Sequence, residues 1–306
     1  LIALHTCPWS GSYTLELMEM KWYERQFLVY DGVLIPLGRA LFNADNRAFR
    51  YGDAIFETIR ISKAEPLFWD WHYQRLILGM SVLKMSVASL PSKQLLRESV
   101  IDLVVKNRIF ADARVRLTVF RKGEGFYTPR QMQVSWLIEA DNLGSTGYSF
   151  PDKGLKIEVS TDFPKQLSPV SPFKTAGSLP YVMAGIFAKE NAVDDCLIVN
   201  SAGKIIESYN SNLFWVKDEI IYTPIIASGC IDGVFRKAVL EAAASLKVKV
   251  VECSGASLEE LREADEIFLT NVISGIRWVA AFKDRRYYAG ISKRLQREID
   301  EFINHQ

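Results

Sequence analysis

Residues 203–239 read GKIIESYNSNLFWVKDEIIYTPIIASGCIDGVFRKAV, and this stretch decides the fold. Its first part alternates short apolar runs with turn residues, which predicts two strands that end at residues 222–224. Its second part has apolar residues at helical spacing, which predicts a helix over residues 233–246. An acidic residue, Glu207, leads into the strands. The stretch therefore combines a charged side chain near its start with strands and then a helix.

The start of the predicted helix is a candidate anion site. The backbone N–H groups of Val234 and Phe235 point outward from it, and unpaired N–H groups together with the helix dipole favour a phosphate. Almost every helix has such an end, so the feature is weak alone. Arg75, in WHYQRL, is either a surface arginine or the cationic partner of that phosphate, since guanidinium binds phosphate in a bidentate way.

Three further charged residues have two interpretations each. Lys174, in the Pro-rich segment SPVSPFKTAG, is a loop lysine in water or a shielded amine whose lowered pKa suits Schiff-base chemistry. Glu207 is an acidic residue near a strand end or the partner of a pyridinium nitrogen. Arg121, where a strand turns into RKGEG, is a turn arginine or binds a substrate carboxylate.

The rest of the chain predicts an α+β organisation. The first elements that we expect are a hairpin at Asp31-Gly32 and a strand over 55–61. They are followed by a helix that is capped by Asp70 and runs to about Val87, and by a helix over about 92–107. Two strands, over 114–120 and 131–140, come next. Beyond them we expect helices over about 179–192 and 292–303. Residues 142–154 are the richest in turn formers. We therefore expect a smaller α+β domain (20–141), a linker (142–154) and a larger domain (155–306), with residues 1–19 as an N-terminal extension.

Composition excludes several classes of protein. The 306 residues include 37 basic and 36 acidic side chains, and 49% are apolar. Disorder needs fewer apolar residues, and a nucleic-acid partner needs a basic excess. No run approaches the roughly 18 apolar residues that cross a bilayer. We expect a soluble, cytoplasmic protein without nucleic-acid or membrane partners.

Cysteine and histidine usage gives no metal site. The four cysteines (Cys7, Cys196, Cys230, Cys253) lack the short spacing of a zinc or redox motif, and we expect free thiols. The three histidines (His5, His72, His305) lie far apart. A zinc site or a Ser-His-Asp triad would have to be built on His72, so neither is expected.

Taken in order, several motifs resemble the class IV aminotransferase family. They are RAFRYGDAIFETIRI, WHYQRL, VFRKGEG, PFKTAGSLPYVMAG, and the E-x-x-x-x-N-L-F and G-x-x-R elements of the opening stretch. The resemblance runs from about Lys21 to the C-terminus. It implies the two-domain α+β architecture of fold type IV (D-amino-acid aminotransferase-like), with pyridoxal 5′-phosphate as cofactor and a homodimer in which the partner's loop closes the site.

The resemblance also implies roles for individual residues. Lys174 forms the Schiff base and moves the Cα proton, and Glu207 bonds the pyridine nitrogen. Arg75 and the amides of Val234 and Phe235 bind the phosphate. Further residues are expected at the phosphate side (Arg47, Asn271, Val272) and at the substrate side (Phe56, Arg121).

Two activities stay open for a small amino substrate. Transaminases of this family usually have a phosphate-binding Thr where this chain has Val272, and Asn271 beside it resembles the lyase branch, as does FETIR in place of FEGIR. We therefore expect 4-amino-4-deoxychorismate lyase, which releases pyruvate to give 4-aminobenzoate for folate synthesis. The alternative is a branched-chain or D-amino-acid aminotransferase using 2-oxoglutarate. A non-catalytic scaffold is disfavoured because Lys174 and Glu207 are present. Gly177, where many members have Asn, is a further departure.

Overall fold

A computed structural model describes residues 26–304 of the chain. The expected extension over residues 1–19 lies outside the described residues, as do His5, Cys7 and His305. Helices and strands are mixed, and the strands form two sheets, as expected of an α+β protein. None of the helices in the described part is long and apolar enough to span a membrane.

The first sheet has six antiparallel strands in the order β2-β1-β6-β5-β3-β4. They are β1 (Phe27–Tyr30), β2 (Val33–Pro36), β3 (Ala54–Ser62), β4 (Glu65–Pro66), β5 (Ala113–Arg121) and β6 (Val134–Asn142). Asp31 and Gly32 form the predicted hairpin turn between β1 and β2, with positive φ at both positions (47° and 85°). A two-residue turn of this kind matches the twist of its strands.

Three helices accompany this sheet: α1 (Arg47–Tyr51), α2 (Trp69–Val82) and α3 (Lys93–Lys106). Apolar side chains of α2 and α3, such as Leu76, Met80 and Leu103, pack against Ile59 and its neighbours in one hydrophobic core. The Ser92 side chain caps α3 by accepting a hydrogen bond from a backbone N–H in its first turn. The core thus fixes α2 against β3, and both elements contribute to the site.

Helix α2 differs from the prediction at both ends. Phe68, at φ 55°, precedes it, so Asp70 is not the N-cap but lies in the first turn, where its charge suits the helix dipole. The helix ends at Val82 rather than at about Val87. The physical reason is the left-handed backbone of Lys84, at φ 53°, which cannot continue an α-helix.

The second sheet has nine strands. They are β7 (Leu155–Lys165), β8 (Asp195–Asn200), β9 (Ile205–Ser208), β10 (Asn212–Lys217), β11 (Ile220–Pro224), β12 (Val250–Cys253), β13 (Glu266–Asn271), β14 (Gly275–Phe282) and β15 (Arg285–Arg286). Since β9 pairs with both β8 and β10, six of them (β10, β13, β14, β7, β8 and β9) close into a ring. The prediction of two strands before residue 224 was wrong. A tight turn, in which the Ser208 N–H donates to the Ser211 carbonyl, divides the stretch into three.

Four helices belong to this half: α4 (Leu179–Glu190), α5 (Val234–Ser245), α6 (Leu258–Arg262) and α7 (Ile291–Asn304). The bounds predicted for α4, α5 and α7 agree with these to within two residues. A core that contains the stacked pair Phe214 and Phe268 supports α5 and α7. Cys196, Cys230 and Cys253 are free thiols, as expected.

The two halves meet along the segment that carries Lys174. The Phe56 N–H donates to the Lys174 carbonyl at 2.8 Å, and the Ala176 N–H donates to the Ala54 carbonyl at 2.9 Å. Residues 174–176 therefore pair with the edge of β3 as a short extra strand. The strands of one sheet precede the expected linker and those of the other follow it. The division into domains stays a prediction.

Candidate active site

A cavity of about 590 Å³ lies between the two sheets. It is walled by β3, β5 and α2 on one side, and by residues 164–181, the β9–β10 turn, the start of α5 and the loop after β13 on the other. Its size suits a small ligand. The wall contains most of the expected site residues: Phe56, Arg75, Lys174, Glu207, Val234, Phe235, Asn271 and Val272.

Lys174 lies in the cavity wall, and the segment around it is held by main-chain bonds to β3. Its Nζ is 5.4 Å from the centre of the Phe56 ring. Burial of the amine, helped by the positive charge of Arg75, lowers the pKa of Lys174 to about 8, although Glu57 and Glu207 act in the opposite direction. About a tenth of the amine is therefore unprotonated at pH 7, far more than for an ordinary lysine, and a nucleophile or proton acceptor requires this form.

Glu207 is buried at the end of β9 and is held by three donors. Its Oε1 accepts from Lys165 Nζ at 2.7 Å and from the Tyr181 hydroxyl at 2.8 Å. Its Oε2 accepts from the Ile231 N–H at 2.8 Å. Burial and the carboxylate of Glu207 raise the pKa of Tyr181, so this phenol stays protonated and donates. The arrangement fixes the position of one carboxylate in the cavity wall.

Lys165 and Tyr181 were not among the predicted site residues. Lys165 ends β7 in the segment FPKQ, and its Nζ lies 5.2 Å from the centre of the Tyr181 ring. No local pattern marks this lysine as buried. Tyr181 lies within the PFKTAGSLPYVMAG motif, so the resemblance could have drawn attention to it.

Arg75 belongs to a buried charged cluster with Glu57 and His72. Its Nε and Nη2 donate to the two Glu57 oxygens at 2.8 and 2.5 Å, and its Nη1 donates to the Asp232 carbonyl at 2.6 Å. His72 Nδ1 lies 2.6 Å from Glu57 Oε2. Burial alone would raise the pKa of Glu57, but the positive charge of Arg75 and the hydrogen bonds from His72 and Arg75 lower it to about 2. Arg75 is thereby fixed at the start of α5.

The start of α5 has no side-chain cap and faces the cavity. Gly233 is its N-cap residue, and Val234 and Phe235 follow in the cavity wall. A Cβ at Gly233 would lie 1.8 Å from Asn212 Oδ1, so a larger residue would have to displace the Asn212 side chain. We call Arg75, the α5 start at residues 233–235 and Thr270 the phosphate cradle, after the role that the sequence analysis expects of Arg75, Val234 and Phe235.

The loop after β13 is shaped by Asn271. Its Oδ1 accepts from the N–H groups of Ile273 and Ser274 at 3.0 and 2.8 Å, and its Nδ2 donates to Ser211 Oγ at 2.9 Å. The Val272 carbonyl accepts from the Tyr148 hydroxyl at 2.6 Å. Asn271 therefore acts on the cavity by holding the loop rather than by offering a free amide.

Arg47 does not lie in the cavity wall, which corrects the expected position. It donates to Asp53 at 2.8 Å and to the carbonyls of Gly125 and Phe126 at 2.9 and 2.7 Å. Because these groups draw the guanidinium toward the loop after β5, the structure does not bring Arg47 to the phosphate side.

Arg121 is also outside the cavity wall, contrary to its expected role on the substrate side. Its guanidinium donates to Asp53 at 3.0 Å and to the carbonyls of Leu83 and Lys84 at 2.6 and 3.0 Å. The early end of α2 leaves these carbonyls available. Buried and bonded in this way, Arg121 supports the fold and does not reach a substrate in the cavity.

Two other arginines of β5, Arg114 and Arg116, line the cavity beside Phe56. The Arg116 guanidinium lies 3.5 Å from the centre of the Phe56 ring, and its Nε donates to Thr118 Oγ1 at 3.2 Å. Burial lowers the pKa of Arg116, partly offset by Glu139. The alternation in RVRLTV places both arginines on one face of the strand, a signal in the sequence that could have found them.

The geometry and the comparisons now define the class of protein: an enzyme that depends on pyridoxal phosphate. Residues 54–282 match the family described as amino-transferase class IV. The chain belongs to this family, which confirms the resemblance, the enzyme class and the cofactor.

Known members of the family resemble the chain at low identity. The aminodeoxychorismate lyase of Bacillus subtilis is 26% identical over 241 residues, 76% of this chain and 79% of that one. The branched-chain-amino-acid aminotransferase of Pseudomonas aeruginosa is 24% identical over 288 residues, 90% and 92% of the two chains. The crystal structure of the branched-chain aminotransferase of Thermoproteus uzoniensis shares the fold, with a TM-score of 0.83 at 22% identity, and the match covers 91% of this chain and 94% of that one.

The residues of the cavity fit pyridoxal phosphate. Two polar atoms in the wall, His72 Nε2 and Thr270 Oγ1, are buried and have no hydrogen-bond partner among the described residues. Such atoms are costly unless a ligand satisfies them. The free start of α5 suits the phosphate, and the buried carboxylate of Glu207 suits a ring nitrogen. The hydrogen-bonding groups of the cavity therefore fit this cofactor.

Proposed function

We propose that the protein is a 4-amino-4-deoxychorismate lyase that releases pyruvate and forms 4-aminobenzoate, a precursor for folate synthesis. The observation that carries the proposal is the pair Arg114 and Arg116 in the cavity wall. The substrate has two carboxylates, and arginine is the preferred partner of a carboxylate. A substrate with a branched aliphatic side chain would instead require apolar residues in this part of the cavity wall. The Asn271-Val272 pair supports the same branch of the family.

We assign the residues around the cofactor as follows. Lys174 binds the cofactor aldehyde, and Glu207 bonds the pyridine nitrogen. Arg75, the Val234 and Phe235 amides and the Thr270 hydroxyl bind the phosphate. Phe56 packs against the substrate, and Arg116 takes over the carboxylate contact first expected of Arg121.

In this proposal the protein positions the substrate and moves one proton. Arg116 and Arg114 bind the substrate carboxylates and turn its Cα–H toward Lys174. The cofactor, when bound, supplies an electron sink for the electrons of that bond. The Lys174 amine, whose pKa of about 8 lies about one unit above neutral pH, accepts the Cα proton. Its ammonium form can then return a proton. Loss of the enolpyruvyl group as pyruvate leaves an aromatic ring.

The alternative is an aminotransferase for branched-chain or D-amino acids. The same two arginines would then bind the second carboxylate of 2-oxoglutarate, which such enzymes use as amino acceptor. Lys174, Glu207 and Arg75 keep their roles. The two activities differ in whether the reaction needs an amino acceptor.

Pyruvate release from 4-amino-4-deoxychorismate tests the proposal, with cofactor-loaded protein and no keto acid. Repeated turnover that is lost in Lys174→Ala would support the lyase. Absence of pyruvate, with a normal absorption spectrum of the bound cofactor, would refute it. An amino donor that converts the cofactor to its pyridoxamine form would then support the aminotransferase.

We also propose that the protein is a cytoplasmic homodimer. Helix α4 exposes an apolar row, Leu179, Val182 and Ile186, at helical spacing, and such a row suits an interface. Light scattering of the full chain tests the dimer. A monomeric mass at micromolar concentration would contradict it.

A further inference from the structure

His72 is a cavity residue to which the proposed function gives no role. Its side chain is 1% exposed. Its Nδ1 faces Glu57, whereas its Nε2 is buried without a partner among residues 26–304. Since a buried polar atom without a hydrogen-bond partner is destabilising, Nε2 points to a partner supplied by whatever occupies the cavity.

The carboxylate of Glu57 decides which imidazole nitrogen carries the proton. With a pKa of about 2, this carboxylate is ionised and can only accept hydrogen bonds. Nδ1 must therefore be protonated. The state of Nε2 remains variable: it accepts a hydrogen bond in the neutral ring and donates one in the imidazolium.

His72 lies next to the phosphate cradle because Glu57 connects them. The Glu57 Oε2 that faces His72 Nδ1 at 2.6 Å also accepts from Arg75 Nη2 at 2.5 Å. The same arginine bonds the Asp232 carbonyl just before α5. One carboxylate oxygen thus places the imidazole and the guanidinium side by side.

The surroundings of His72 become more negative when an anion binds in the cradle. Three charged groups face it: Glu57 from β3, Arg75 from its own helix and Lys174 from the segment before α4. Burial first, and then the two cations, lower the pKa of His72 despite Glu57, so the ring is neutral in the free protein. In the cradle itself Arg75 carries the only full positive charge, and Glu57 balances it. Asp232 adds a further negative charge near Arg75. A phosphate dianion therefore meets little net positive charge.

We propose that His72 takes up a proton when a phosphate ester binds, and that its imidazolium then bridges the Glu57 carboxylate and the phosphate. The proposal rests on the phosphate position given under the proposed function. It makes His72 a positioning residue for the cofactor, which couples cofactor binding to pH. Because one proton is bound with the ligand, affinity falls about tenfold per pH unit where free His72 is neutral.

Calorimetry with pyridoxine 5′-phosphate tests the proton uptake. This compound has no aldehyde, so it cannot react with Lys174. At pH 8 its phosphate, with a second pKa of about 6, is already a dianion. Titrations in two buffers of different ionisation enthalpy give the number of protons bound. We expect the wild type to bind about one proton per site more than His72→Gln, which keeps a donor but cannot titrate. Pyridoxine without the phosphate is the matched ligand control.

Nitrogen NMR of the wild-type protein locates the proton, and it does not depend on how well the variant folds. The chain has only three histidines, so the imidazole signals are few. We expect the His72 signals to change from a neutral Nδ1–H ring to an imidazolium when pyridoxine 5′-phosphate binds.

The outcomes separate this proposal from the proposed function. Binding without proton uptake, or with uptake while His72 stays neutral, overturns the role of His72 and leaves the cofactor site intact. Failure of the wild type to bind pyridoxine 5′-phosphate overturns the phosphate site itself. Absence of pyruvate release together with normal uptake overturns only the lyase.

Discussion

Lys165 and Glu207 form an ion pair in the cavity wall, with Nζ 2.7 Å from Oε1 and side chains only 10% and 2% exposed. The Lys165 ammonium also donates to the Ser171 carbonyl at 3.0 Å. It therefore connects the strand that ends at Lys165, the segment that leads to Lys174 and the carboxylate assigned to the pyridine nitrogen. Removing one member of such a pair destabilises the protein, because the other member remains as a buried charge without a partner.

Replacing Lys165 by Met should destabilise the protein by about 3 kcal/mol, because Glu207 loses its cationic partner in a buried site. Urea denaturation of the wild type and the variant measures this difference. Lys165→Arg keeps the charge and should recover most of the loss. The double variant Lys165→Met/Glu207→Gln should be more stable than Lys165→Met alone. Equal stability of the wild type and Lys165→Met would refute the prediction.

Lys174 should make stability depend on pH in a defined window. Its pKa of about 8 in the folded state lies below its ordinary value of 10.5, so the unfolded chain binds more protons between these two values. Stability from this group therefore rises as pH increases from 8 to 10.5, and the same amount is lost as pH falls from 10.5 to 8. The free energy of unfolding of the cofactor-free wild type, minus that of Lys174→Met, should increase by at most about 3 kcal/mol over this window. Parallel pH profiles would contradict the prediction.

Arg116 and Arg121 should respond differently to the same substitution. Arg116→Gln should lower kcat/KM for a dicarboxylate substrate tenfold to about a hundredfold, because a charged hydrogen bond contributes about 1.5–3 kcal/mol. Arg121→Gln should instead lower the free energy of unfolding by about 1–3 kcal/mol, since Asp53 loses one of its two arginine partners and the Leu83 and Lys84 carbonyls lose a donor. Kinetics and denaturation of both variants separate the roles. A large kinetic effect of Arg121→Gln without loss of stability would restore the original assignment.

Gly79 tests the packing of α2 against β3. A Cβ there would lie 2.2 Å from Ile55 Cδ1 and 3.0 Å from a Phe173 ring carbon. Gly79→Ala should therefore destabilise the protein by about 1–3 kcal/mol through overpacking. Ile55→Val removes the nearest methyl group, so the double variant Gly79→Ala/Ile55→Val should recover much of the loss. Thermal denaturation of the four proteins provides the cycle. Additive losses would argue against the proposed clash.

Local signals in the sequence predicted much of the fold. Residues next to the element indicate the Asp31-Gly32 turn, the start of α3 after Ser92 and the start of α5 after Gly233. None of these signals depends on a residue distant in sequence. The motif order added the family, and with it Lys174 and Glu207. The enzyme class and the cofactor are confirmed, whereas the individual residue roles stay proposals.

Long-range contacts account for what the sequence did not predict. Lys165 meets Glu207 across 42 residues of chain, and neither residue's neighbours indicate the other. Arg121 is expected from its sequence to be either a turn arginine or a residue that binds a substrate carboxylate, and the sequence alone does not separate the two. Its true partners, Asp53 and the carbonyls after α2, come together only when β5 pairs beside β3. The end of α2 likewise depends on the left-handed backbone of Lys84. A lysine does not indicate a left-handed backbone, so the sequence did not predict this end.

The attachment of residues 174–176 to the edge of β3 has an evolutionary consequence. Hydrogen bonds between main chains do not depend on the side chains that they connect. The positions after Lys174 can therefore drift in sequence while the lysine stays in place. Gly177, which directly follows this segment, fits this view, since a Cβ there would first meet a neighbouring hydroxyl at 3.8 Å. Sequence changes in this segment can thus alter the side chains around Lys174 without moving the lysine itself.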